Sequence, residues 1–224
     1  MGFEDKALMD VERKTTLTEQ VYAQLRNGLL LGLWKPGEKL TARQLSRTLG
    51  VSLTPSREAI IRLANEGAIE VSETRMFSIP VIGPERYREI NAIRMLLEPM
   101  ATELAARKAP EALVDRLEAL NEDMRAKILA EEFDEALQMD SQFHLTIYAA
   151  AETPVLLRLI DTLWLQVGPI RNLLSREYRR QLVGYQNHRS MLQALRSRDA
   201  ALAGEALRKD LSDGANAVLA VLGP

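Results

Sequence analysis

The chain contains no cysteine. Disulfides and thiolate metal sites are therefore excluded, and the absence fits a reducing compartment. There is no apolar run of membrane length, and no positively charged leader ahead of an apolar core. The expectation is a soluble, cytoplasmic protein with no membrane partner. Proline and glycine, 9 and 12 of 224 residues, are scattered, so no long disordered block is forced. Histidine is scarce as well: only His144 and His188 occur. Nothing repeats, and no tract is of low complexity. With 46% apolar and 27% charged residues, the composition is that of a globular chain, long enough for one large domain or two smaller ones.

The net charge of −2 conceals an asymmetry. Between Lys35 and Arg62 there are six basic residues (Lys35, Lys39, Arg43, Arg47, Arg57, Arg62) and two acids, Glu38 and Glu58. A local basic stretch in an acidic chain suggests a polyanion met by one small region. From charge alone a solvated helix face is the more ordinary reading.

Residues 1–14 are polar and expected to fray. Thr16-Leu17-Thr18-Glu19 reads as a capping box, followed by Val21, Tyr22, Leu25 and Leu29 at helical spacing. This helix should end near Leu31, before "GLWKPGEKL". A second helix begins at Thr41 and stops at Leu49-Gly50, where glycine suits a left-handed turn. A third starts near Ser52–Thr54 with Pro55 in its first turn and runs to Gly67. "AIEVS" and "FSIPV" then read as two short strands around "ETRM". Three short helices and a hairpin make a winged helix-turn-helix over residues 1–80, with the third helix placed to enter a major groove. After the linker "VIGPER", residues 85–224 read as an all-α bundle of about six helices: 85–108, 111–130, 133–151, 154–174, 177–197 and 199–221. The fold class is mainly α.

"GLWKPGEKLTARQLSRTLGVSLTPSREAIIRLANEGAIEV" resembles the N-terminal domain of the GntR family of bacterial transcription regulators, and the likeness extends over nearly all of residues 17–80. It implies that Arg43 and Arg57 contact operator DNA and that Thr54, beside Ser52 at the helix start, meets the backbone. These chemistries suit the roles: arginine reads guanine O6/N7 as a bidentate donor, and a helix N-terminus with hydroxyls suits phosphate. Two positions depart from the family pattern. Leu53 stands where arginine is usual, so a guanine contact is lost or replaced by an apolar contact to a thymine methyl. The wing tip reads Arg75-Met76 in place of glycine, and Arg75 is the candidate minor-groove contact there.

Within "DSQFHLTIYAAAETPVL", Asp140 and His144 lie one helical turn apart and leave the same face. That spacing alone allows a surface pair, a buried hydrogen bond or half of a metal site. The second half of the chain resembles the FadR-like, FCD-type ligand-sensing domain of the same family. In its metal-binding branch an Asp and a His from D-x-x-x-H are joined by a His from each of the last two helices. The resemblance implies Asp140, His144, His188 and Asp210 as ligands, with aspartate in place of the usual fourth histidine. Zinc, nickel or manganese are the candidate divalent ions. An open coordination position would hold a small organic acid, with Arg94 as a clamp on the same anion or as a surface partner of Glu98 at i+4.

The reading is a homodimeric regulator that binds double-stranded operator DNA and responds to that acid. The alternatives are a constitutive DNA-binding dimer without an effector, and a metal-dependent enzyme acting on a small carboxylate. The last would have no use for residues 17–80.

Overall fold

The computed structural model describes residues 16–72 and 76–223. The polar stretch 1–14 and the wing residue Arg75 lie outside them. Helix α1 (Leu17–Leu30) begins as its capping box dictates. The Thr16 hydroxyl accepts from the Glu19 amide at 3.1 Å, and the Glu19 carboxylate accepts from the Thr16 amide at 2.9 Å. Helix α2 (Ala42–Leu49) is capped by Thr41 and closed by Gly50 at φ 65°, the left-handed region where glycine avoids a Cβ clash. Helix α3 (Leu53–Asn65) follows at once. Its apolar positions Ile60 and Leu63 are buried with Val21, Leu25 and Leu29 of α1 and Leu45 of α2.

The wing has one strand more than expected. Strand β1 (Lys39–Leu40) pairs antiparallel with β3 (Phe77–Ser78), which also pairs with β2 (Glu70–Val71). Two residues after a Pro-Gly turn are too short to display the alternation by which a strand is recognised.

The second half contains seven α-helices among the described residues, not about six: α4 (Pro84–Ala106), α5 (Glu111–Leu129), α6 (Phe133–Ala150), α7 (Pro154–Val167), α8 (Arg176–Arg180), α9 (Val183–Arg196) and α10 (Ala200–Leu222). The expected helix 154–174 stops at Val167 because Pro169 has no N–H to continue the ladder, and the chain tightens into a 3-10 turn over Pro169–Leu173. The expected helix 177–197 divides at Leu182, whose φ of 57° is left-handed. Leucine has no intrinsic preference for that conformation, so tertiary packing selects it. Helix α10 lies along α4 and α9, and α5 lies along α6 and α9, so the inward faces of α4, α6, α9 and α10 converge on one interior. No helix among the described residues is long and apolar enough to cross a membrane.

The two halves share a core. Helix α1 packs on α3 with one side and on α7 with another. Arg26 forms an ion pair with Asp161 of α7. Close approach is possible because residue 168 is glycine: a Cβ there would collide with the Leu29 carbonyl oxygen.

Candidate DNA-reading face and metal pocket

The start of α3 presents Ser52, Leu53, Thr54 and Arg57 to solvent, and Arg43 is exposed early in α2. Ser52 is the N-cap residue but its hydroxyl makes no capping bond. The helix start therefore offers a hydroxyl and first-turn amides to an anion. Glu58, the acid next to Arg57, is drawn away onto α1, where it accepts from the Thr18 hydroxyl at 2.7 Å. Not all of the basic stretch is uncommitted: Arg62, though exposed, lies over the Tyr22 ring at 3.7 Å and pairs with Glu66 at 3.5 Å. Leu53 and Met76, both about half exposed, line one surface groove with Thr41, Arg57 and Phe77.

Helix α6 carries Asp140, His144 and Tyr148 at successive i+4 positions on one face. Opposite them stand His188 of α9 and Asp210 of α10. Of the four residues named as ligands from the sequence, Asp140, His144 and His188 form one cluster, and Asp210 stands at its edge beside His144 without completing the group. The two imidazole Nε2 atoms are 3.2 Å apart. Asp140 Oδ1 is 3.4 Å from His188 Nε2, and Asp210 Oδ2 is 3.2 Å from His144 Nε2. Donor atoms of Asp140, His144 and His188 all lie within 4.8 Å of one another. A tetrahedral ion with bonds of about 2.0–2.1 Å places its donors roughly 3.3 Å apart, so these separations fit a divalent transition metal.

The surroundings decide which nitrogen of each ring carries its proton. His188 Nδ1 faces the side-chain oxygen of Asn121 at 3.0 Å, and the Asn121 amide nitrogen is turned to the Tyr185 carbonyl at 3.3 Å. His188 therefore donates from Nδ1. Tyr148 gives its proton to Glu98 Oε2 at 2.5 Å, so its oxygen is free to accept from His144 Nδ1 at 3.2 Å. Both Nε2 atoms are left as lone pairs pointing at the same space as two carboxylates. Two imidazole lone pairs that face each other repel unless a cation lies between them, and outer partners of this kind are what fix metal-binding imidazoles; the carboxylates have donors of their own, Arg171 on Asp140 and the Asn187 amide on Asp210 at 3.3 Å. The stacked Phe143 ring, 3.9 Å from His188 between centroids, sets the imidazole plane. Burial, and then the neighbouring imidazole of His144, push the His188 pKa down to about 3, which keeps the ring neutral as a ligand must be.

Arg94 is not the surface partner of Glu98 that an i+4 pair suggested. Both are buried, with Arg94 Nε at 2.6 Å and Nη2 at 3.3 Å from the carboxylate. Glu98 also accepts from Trp164 Nε1 at 3.0 Å. Arg94 does line the cavity beside the candidate ligands, with Nη1 as its remaining donor nitrogen. A second buried arginine, Arg171, was not legible in the sequence. It pairs with Asp140, donates to Ser141 Oγ at 2.8 Å and lies 4.8 Å from the Trp164 ring. Burial and the charge of Arg94 press its pKa down to about 9. The cavity is about 110 Å³ and its lining combines Arg94, Arg171, Tyr87 and Tyr178 with the apolar side chains of Ile128, Leu137 and Val183. Three arginines (Arg94, Arg171, Arg179) balance three carboxylates (Glu98, Asp140, Asp210) by formal count, so a divalent ion would leave an excess of two positive charges for an anion to meet.

Residues 17–77 match the profile of the bacterial regulatory proteins of the gntR family, and residues 89–213 match that of the FCD domain. The chain is 31% identical over 192 residues to the HTH-type transcriptional regulator McbR of Escherichia coli (strain K12), across 84% of this chain and 86% of that protein. It belongs to the gntR family of bacterial regulatory proteins. Among other relatives of this gntR regulator, the gluconate operon transcriptional repressor of Bacillus subtilis (strain 168) is 29% identical over 211 residues, covering 89% and 84% of the two chains. The solved structure of E. coli McbR/YncC superposes with a TM-score of 0.80 at 29% identity, over 89% of this chain and 95% of that one. The protein is therefore a DNA-binding transcription regulator with a helix-turn-helix unit and an FCD domain, and not an enzyme.

Proposed function

We propose that this regulator binds its operator as a cytoplasmic homodimer and that a small organic acid, held at a divalent metal in the FCD domain, modulates the binding. Residues 1–80 form the DNA-binding domain, with Arg43, Ser52, Thr54, Arg57 and Arg75 on the DNA. Residues 85–224 bind the effector and dimerise. Asp140, His144, His188 and Asp210 hold the metal. Arg94 and Arg171 face the carboxylate of the acid. The observation that carries this reading is the pair of imidazole Nε2 atoms 3.2 Å apart, each beside a carboxylate and each ring oriented from behind by Asn121 or Tyr148. Once bound, the metal would supply a Lewis-acid position for one carboxylate of the ligand. The chain's own groups do the rest: the arginines bind the remaining negative charge, and the apolar lining residues accept a short carbon skeleton. A cavity of about 110 Å³ admits a molecule no larger than roughly a benzene ring.

The test is elemental analysis of protein purified without a histidine tag, with native mass spectrometry for a retained ligand. One equivalent of a transition metal per chain is expected, with two chains in the native assembly. Protein free of metal that does not take up added zinc, nickel or manganese overturns the metal reading. Operator binding indifferent to a panel of small mono- and dicarboxylates would leave a constitutive dimer.

A further inference from the structure

The short segment between α7 and α8 touches both the cavity and the DNA-binding unit, through adjacent residues. Arg171 points inward, where Asp140, the Ser141 hydroxyl and the Trp164 ring surround it. Asn172 points the other way. Its amide nitrogen donates to the Gly32 carbonyl at 2.8 Å and the Trp34 carbonyl at 3.1 Å, and also to the Pro169 carbonyl at 3.1 Å. Gly32 and Trp34 belong to the turn that joins α1 to β1, so they lie at the base of the winged unit. At the upstream end, Gly168 rests against the Leu29 carbonyl, and Gly32 reciprocally allows no Cβ without crowding Gly168. Downstream, the Arg179 guanidinium donates to the carbonyls of Arg171 at 3.0 Å, Leu174 at 3.0 Å and Phe133 at 3.2 Å. The segment is thus a stiff strut, only a few residues long, with one side chain in the cavity and the next on the DNA-binding unit.

We infer that the Gly168–Leu173 strut couples the cavity to the DNA-binding unit, Arg171 sensing an anion and Asn172 passing its displacement to the Gly32–Trp34 turn. The inference rests on the reading above that a small carboxylate occupies this cavity. Such an anion competes with Asp140 for the same guanidinium, which gives Arg171 two alternative partners and the strut two positions. A bistable element biased from one site and read at another is what physical coupling requires. One planar peptide unit joins the two residues, so a backbone movement at Arg171 is shared directly with Asn172.

The experiment is hydrogen exchange on the full-length protein, comparing wild type with Arg171→Gln, Arg171→Lys and Asn172→Ala, alongside zinc titration of each. Asn172→Ala removes the bonds to both Gly32 and Trp34 and is expected to speed exchange at residues 31–35 by roughly threefold or more, with zinc affinity unchanged. Arg171→Gln should raise exchange at 31–35 in the same direction although its side chain does not touch that turn, and Arg171→Lys should fall between it and wild type. Exchange at 31–35 within twofold of wild type in Arg171→Gln overturns the coupling. A rise spread equally over α5 in both Arg171 variants also overturns it, since the role would then be general stability. Zinc failing to bind wild type would instead remove the metal reading, and the exchange comparison, made without ligand, would still decide the coupling.

Discussion

Glu98 binds no metal, yet replacing it with glutamine should weaken metal binding through a change of tautomer. Its two oxygens serve different donors: Oε1 takes Arg94 Nε and Trp164 Nε1, while Oε2 takes Tyr148 and, at a longer 3.3 Å, Arg94 Nη2. In Glu98→Gln the amide NH2 must take one of these places. At Oε1 it would face two donors at short range, so it goes to Oε2. Tyr148 then has to accept from that amide and turn its own proton toward His144 Nδ1. His144 becomes protonated at Nε2, and the lone pair that points at the metal position is lost. Loss of an outer partner typically weakens metal binding by about 10–100-fold, and that drop is expected here. Arg94 is also left buried without a counter-charge, which costs about 3–5 kcal/mol. For a chain of this size that lowers Tm by about 6–20 °C. The assay is zinc competition against a chromophoric chelator, with thermal melts run in excess chelator so that metal linkage does not enter. Zinc affinity within twofold of wild type in a folded Glu98→Gln protein would refute the tautomer argument.

Other substitutions probe the remaining parts of the molecule. Arg57→Ala should weaken operator binding by ~1–3 kcal/mol and relax preference at one base position, read by binding-site selection, whereas an equal loss on all sequences would reduce Arg57 to a phosphate contact. Leu53→Arg should shift selected sites toward guanine at the position facing the start of α3, and unchanged selection would contradict that geometry. Asp210→Ala should loosen zinc while Asp210→His retains it, and isothermal titration showing equal affinity in Asp210→Ala would remove Asp210 from the ligand set. Gly168→Ala should destabilise the chain by about 1–3 kcal/mol through overpacking against the Leu29 carbonyl, measured by urea unfolding, and a neutral result would mean that α1 and α7 can separate freely.

The parts that could be read from the amino acids alone were those governed by local chemistry. Thr16 with Glu19, Thr41 with Gln44, and Gly50 each act within a few residues, so the helices of the winged unit were visible from their caps. The candidate ligands were visible because histidine is so rare that each one stands out, and because a resemblance supplied the partners. What was hidden depends on distant neighbours. Arginine at 171 carries no local mark that separates a buried strut from a solvated surface. Glu98 and Arg94 look like a surface i+4 pair until Trp164 and Tyr148, 66 and 50 residues away, are brought over them. Tyr148 was within reach, since it continues the Asp140–His144 spacing by one more turn. The break at Gly168-Pro169 was also written in the sequence, obscured by apolar periodicity that runs through it. The left-handed Leu182 had no such signal.

Helix α1 closes the hydrophobic core of the winged unit and at the same time completes that of the bundle through α7, with Arg26 and Asp161 bridging the seam. Residues 1–80 are therefore a poor cassette. A chain cut after Pro80 would expose a face of α1 that α7 normally covers, and grafting this reading head onto another sensor would require the acceptor to supply a matching glycine and acid on its own fourth helix. By the same argument, a swap of whole halves with another regulator is expected to fold only where the incoming half supplies counterparts of Gly168 and Asp161.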